Sequence, residues 1–99
     1  MLKHTLIIGL NDKDTLTQVI PTEQVKAIIS NTVGDCTIKQ GATGYYTMNN
    51  GAKVIEESLT VEIFGSKTRI VTQQALQLKQ LLNQESIILD TQKVNSRFI

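Results

Sequence analysis

The feature that most constrains this chain is a change of hydrophobic period across one Gly-Ser break. From Glu57 to Phe64 the side chains alternate, with Leu59, Val61 and Ile63 pointing one way and Ser58, Thr60, Glu62 and Phe64 the other. Beyond Gly65-Ser66 and the lead-in Lys67-Thr68, the apolar residues Val71, Ala75, Leu78 and Leu82 recur at helical spacing. Gln73, Gln74, Gln77 and Lys79 fall on the opposite side of that helix, and Asn83 closes it. A half-buried strand followed at once by an amphipathic helix demands a sheet with helices packed on it.

The other segments extend that pattern. Lys3 to Leu10 reads as a β-branched central strand buried on both faces. Asn11-Asp12-Lys13-Asp14 ends it with turn chemistry. Residues 15–20 fit either an extended arm or a short edge strand. Pro21-Thr22 opens a first helix whose stripe is Val25, Ile28, Ile29 and Val33, and Gly34 stops it. Cys36 to Gln40 alternates as a strand that continues through Tyr45 and Tyr46. Gly41 and Gly44 inside it suggest a bulge or a close backbone approach. Asn49-Asn50-Gly51 is the strongest turn signal in the chain. Ser86 to Thr91 makes the last strand, and residues 92–99 form a tail ending in Phe98-Ile99.

The order β-α-β-β-α-β is that of an α+β, ferredoxin-like fold, with a four-stranded antiparallel sheet and two helices on one face. A chain of 99 residues makes residues 1–99 a single ferredoxin-like domain. Its net charge of +1 argues against nucleic acid or an acidic membrane as partner. No apolar run approaches a membrane span, and the single cysteine excludes an internal disulfide framework, so a cytoplasmic protein is expected. Lysine in excess of arginine, with abundant Ile and Asn, reflects AT-rich codons and suggests a low-GC bacterium or its phages.

Candidate chemistry is sparse. His4 is the sole histidine, with no Cys-x-x-Cys or His-x-x-x-His pattern, so no metal site and no cofactor is expected. His4 and Cys36 would be held apart by the third strand, and Cys36 reads as a small edge-strand filler. Glu56 and Glu57 are adjacent and face opposite sides, which leaves Glu57, beside Leu59 and Val61, the more interesting carboxylate. Glu62 needs solvent, a cation partner or a raised pKa. Gly41-Ala42-Thr43-Gly44 lacks the lysine of a phosphate loop. The tyrosines sit on an edge element rather than on the central strands that stack RNA bases. Gly41, Gly44, Tyr45, Tyr46, Asn49 and Asn50 therefore read as a hinge and anchor for a ligand or partner around the loop between the second and third strands, with Thr47 to Lys53 either mobile or closed as a tight hairpin at Asn50-Gly51.

The stretch Thr37-Ile38-Lys39-Gln40-Gly41-Ala42-Thr43-Gly44-Tyr45, the strand Leu59-Thr60-Val61-Glu62-Ile63, a helix and then Ile87-Ile88-Leu89-Asp90-Thr91 resemble the PII-like superfamily, which includes PII signalling proteins and CutA. The whole chain also resembles short phage or plasmid proteins of low-GC bacteria. The PII-like resemblance implies a trimer of ferredoxin-like subunits and, for the PII members, adenine nucleotides bound between subunits. The basic cluster before the second helix is limited to Ser66-Lys67-Thr68-Arg69. Together these readings favour a small non-enzymatic oligomeric binding or regulatory protein, with a small-molecule ligand or protein partner. The alternatives are an accessory or inhibitor protein of a mobile element and a small dimeric ferredoxin-like enzyme. A dimer or trimer is expected through the helix-free face of the sheet, where Ile7, Phe64 and Ile88 would otherwise meet water.

Overall fold

The computed structural model describes residues 1–99. Its elements are β1 (Leu2–Gly9), α1 (Thr22–Val33), β2 (Thr37–Thr47), β3 (Lys53–Phe64), α2 (Thr68–Leu81) and β4 (Ile88–Lys93). The strands form one antiparallel sheet in the order β2-β3-β1-β4. This is the ferredoxin-like α+β fold.

The core is a single cluster. Leu6 and Ile8 of β1 and Leu59, Val61 and Ile63 of β3 meet Val25, Ile29 and Val33 of α1 and Val71, Ala75 and Leu78 of α2. Cys36 packs half-buried at its margin as a filler, though it lies just before β2 rather than within that edge strand. His4 is wholly buried on the same side. Its Nε2 donates to the Ser66 carbonyl at 2.7 Å, and its Nδ1 accepts from the Thr91 hydroxyl at 2.9 Å. Both ring nitrogens are thus satisfied, and the residue's work is structural.

Several expectations change at the element boundaries. β1 is buried on one face only, because both helices lie on that side; Thr5 and Ile7 stay partly exposed on the other. Residues 15–20 form turns and bends rather than a strand. There the Asp12 carboxylate accepts the amides of Asp14 and Thr15, and Leu16 takes a positive φ of 57°. β4 starts two residues later than expected and takes in Gln92 and Lys93 of the presumed tail, since Leu2 pairs with Lys93.

The largest change concerns the loop between β2 and β3. β3 begins at Lys53, and its pairing with β2 continues to Thr47↔Lys53. Only Met48 to Ala52 remain for the turn, closed by Met48 N–H to Ala52 O at 2.8 Å and Gly51 N–H to Met48 O at 2.9 Å. The adjacent Glu56 and Glu57 hide this extension in the sequence, because two charged neighbours break a two-residue alternation. β1 ends at the Gly9↔Ser58 pair, so β2 and β3 run on beyond it as a two-stranded ribbon. A bulge interrupts β2 between Lys39 and Ala42, where Gly41 takes a φ of 92°.

On the helix-free face, Glu62 is gripped by Lys3 at 2.7 Å and Lys39 at 2.9 Å. The bond from Lys3, then that from Lys39, holds its carboxyl below the usual carboxylate range. Asp12 is lowered likewise, first by the Asn83 side-chain amide and then by the Asp14 backbone amide. A carboxyl lowered on folding stabilises the native state at neutral pH and loses that contribution as pH falls through its folded value. The urea midpoint should therefore decline on acidification below roughly pH 5, and Glu62→Gln should flatten that decline. An unchanged acid limb in this variant would remove Glu62 from the account.

Candidate functional site

At the end of the helix-free face a cleft of about 260 Å³ opens under the β2–β3 ribbon. Tyr46, Met48, Val54 and Glu56 wall it on the ribbon side. Asn11, Asp12 and Leu16 after β1, and Gln84, Glu85 and Ser86 before β4, close the other side. Ile7, Gly9 and Ile88 lie along its base. This is the size of pocket that takes part of a small organic ligand.

The wall is pinned by polar contacts rather than by core packing. Gln84 Nε2 donates to the Asn11 carbonyl at 2.7 Å. Asn83, held at a positive φ of 47° just past α2, donates to Asp12 at 2.7 Å and Asp14 at 2.9 Å. These bonds dock the β1–α1 loop on the end of α2. At the ribbon tip, the Asn49 amide reaches Glu85 Oε1 at 3.4 Å.

Glu56 is the cleft's best-placed charge. Its Oε2 accepts the Asn11 backbone amide at 2.9 Å, which leaves Oε1 for a ligand. Asp12 and Glu85 line the same space, against one lysine, Lys13. The Asp12 carboxylate is already engaged by Asn83 and by two backbone amides. The lining therefore favours a ligand that brings positive charge or hydrogen-bond donors.

The residues singled out from sequence disperse. Tyr46 enters the cleft, with its ring lying across Gly44. Tyr45 pairs with Ile55 on the other side of the ribbon, is 74% exposed and reaches only the rim. Gly41 makes the bulge away from the cleft. Asn50 caps the turn through Ala52 N–H at 3.0 Å. Ile7 and Ile88 are neighbours, but Phe64 lies at the far end of the face beside Lys3. The row Thr5, Glu62 and Asp90 stands between them, so the three do not form one continuous apolar patch. Glu57 points away from the cleft and accepts from the Thr43 hydroxyl at 3.1 Å. Sequence reasoning passed over Gly9, Asn11, Glu56 and Gln84; a glycine closing an otherwise apolar strand was the one available signal.

No family model and no curated protein sequence matches the chain. Among solved structures it is similar to a phage SAM lyase in complex with S-methyl-5'-thioadenosine, with a TM-score of 0.70 at 24% identity over 93% of this chain and 80% of that one. It is similar to a phage SAM lyase in the apo state, with a TM-score of 0.66 at 22% identity over 92% and 78%. The divalent ion tolerance protein CutA1 of Ehrlichia chaffeensis gives a TM-score of 0.52 at 8% identity over 98% and 84%. No helix is long and apolar enough to cross a membrane. At these identities the likeness concerns the fold alone, and the resemblance of the sequence to the PII-like superfamily extends no further than that.

Proposed function

We propose that this protein is a cytoplasmic, homo-oligomeric enzyme of bacterial or phage origin that binds S-adenosylmethionine in the cleft under the ribbon and cleaves it as a lyase. One observation carries the reading: Tyr46 and Glu56 face one small acidic cleft on a chain whose fold matches a phage SAM lyase over most of its length. The substrate suits that lining, since it brings a sulfonium and an ammonium to the carboxylates and a planar base to the tyrosine.

The reaction asks little of the protein. The C–S bond between the sulfonium sulfur and the γ-carbon breaks, and its electron pair stays on sulfur as neutral S-methyl-5'-thioadenosine. The departing chain either closes a lactone through its own carboxylate or loses a β-proton to a base and becomes an alkene. Neither route needs a nucleophile from the protein. Glu56 would hold the cationic substrate in either case and would be the proton acceptor in the second.

The test is incubation with S-adenosylmethionine, following S-methyl-5'-thioadenosine and its co-product by liquid chromatography. Product should accumulate at least tenfold faster than in protein-free buffer, with Glu56→Ala near background; the co-product, lactone or alkene, identifies the route. A second reading, a regulatory module that holds the nucleoside without cleaving it, draws on the same lining, since Glu56 and Tyr46 can hold the ligand without reacting with it. It predicts binding of S-methyl-5'-thioadenosine without turnover. Neither binding nor turnover would overturn both.

A further inference from the structure

We propose that Gly9 and Gly44 are positioning residues of the cleft: their missing β-carbons let the Glu56 carboxylate and the Tyr46 ring lie where a ligand meets them. The inference rests on the reading of the cleft as a nucleoside site and assigns what shapes it.

The glycines of this chain fall into two groups. Gly34, Gly41, Gly51 and Gly65 take positive φ, and a β-carbon on any of them would enter open space. Their backbone conformation explains them. Gly9 and Gly44 have no such requirement. They sit in strands, where glycine weakens the element and almost any residue other than proline would serve the backbone better. A β-carbon on Gly9 would collide with the Glu56 carboxylate, and one on Gly44 would collide with Cε2, Cζ and Oη of Tyr46. Both strand glycines thus underlie a cleft side chain.

The register shows how this arises. Gly44 stands opposite Glu56 on one flank of β3, and Gly9 stands opposite Ser58 on the other. Glu56 leans across to the vacancy above Gly9, where its carboxylate meets the Asn11 amide at 2.9 Å. Tyr46 folds back along its own strand onto the vacancy at Gly44. An alanine at either site need not break the fold, because the atoms it meets are the far ends of side chains. It would instead push the carboxylate off Asn11, or lift the ring from the strand.

The experiment compares Gly9→Ala, Gly44→Ala, Glu56→Ala and Tyr46→Leu with the doubles Gly9→Ala/Glu56→Ala and Gly44→Ala/Tyr46→Leu. Affinity for S-methyl-5'-thioadenosine is measured by calorimetry and folding by thermal melting. Each glycine variant should stay folded, with a cooperative melt within a few degrees of wild type, yet bind at least tenfold more weakly. Each double should bind within about twofold of its Glu56 or Tyr46 single, because a glycine acting through its partner has nothing left to disturb. Additive losses, or wild-type binding by the glycine variants, would overturn the proposal. In the ligand-free protein, amide exchange at Asn11 should be slow in wild type and fast in both Gly9→Ala and Glu56→Ala. Should the wild-type protein not bind the thioadenosine, the nucleoside reading fails, and Asn11 exchange alone still decides whether Gly9 positions Glu56.

Discussion

Leu78→Ala should lower the unfolding free energy by about 2–5 kcal/mol, while its neighbour Gln77→Ala should change it by less than about 0.5 kcal/mol. Leu78 has no exposed surface and lies where α2 meets the sheet, so truncation removes buried methyl groups and leaves a cavity that a close-packed core closes only partly. Gln77 is exposed on the far side of the same helix, and alanine there is a better helix former. With a urea slope of about 1–3 kcal/mol/M, the first variant should shift the midpoint by roughly 1 M or more and the second barely at all. Equal, small shifts would mean that the helix presents a different face to the core.

Phe64→Lys should dissociate the proposed oligomer, raising its dissociation constant at least ~100-fold, or about 2.7 kcal/mol. Phe64 stands on the helix-free face, 37% exposed, with the Lys3 ammonium 5.8 Å from its ring centre. Lys3 and Lys39 already converge there on Glu62. A third cation at this point would have no free carboxylate to meet and would enter a contact from which water is excluded. Light scattering at ~100 μM should report an oligomer for the wild type and a monomer for the variant. A wild-type monomer would sink the oligomer itself.

Much of the fold was legible because its elements are marked by period. The Leu59-Val61-Ile63 alternation and the α2 stripe each admit one phase, and Gly34 and Asn83 end the helices in positive φ. The site was less legible. Glu56 was set aside in favour of Glu57 because strand periodicity tells which side chains share a face, but not how far β3 outruns β1. Asn11 and Gln84 lie 73 residues apart, and only the docking of a loop on the end of α2 brings them together. Tyr45 and Tyr46 could not be ranked, since the choice between them depends on how many residues the bulge absorbs.

That bulge acts as a parity device. Between the pairs Lys39↔Thr60 and Ala42↔Ser58, two residues of β2 oppose one of β3. Everything after it is shifted by one, so even-numbered side chains follow odd-numbered ones onto the helix-free face. Loss of Gly41 alone would restore the regular count and leave Ala42 opposite Ser58, so the distal half of β2 would keep its faces. Loss of a residue beyond the bulge, such as Thr43, would instead turn the rest of β2 over. Tyr45 would rotate into the cleft, Tyr46 out of it, and the vacancy at Gly44 would face the wrong side. In lineages descended from this chain, the ligand site should therefore tolerate substitutions along β2, and even loss of Gly41, far better than a single-residue gain or loss between Ala42 and Tyr46, because a change in length there reverses the side chains that a point mutation only alters.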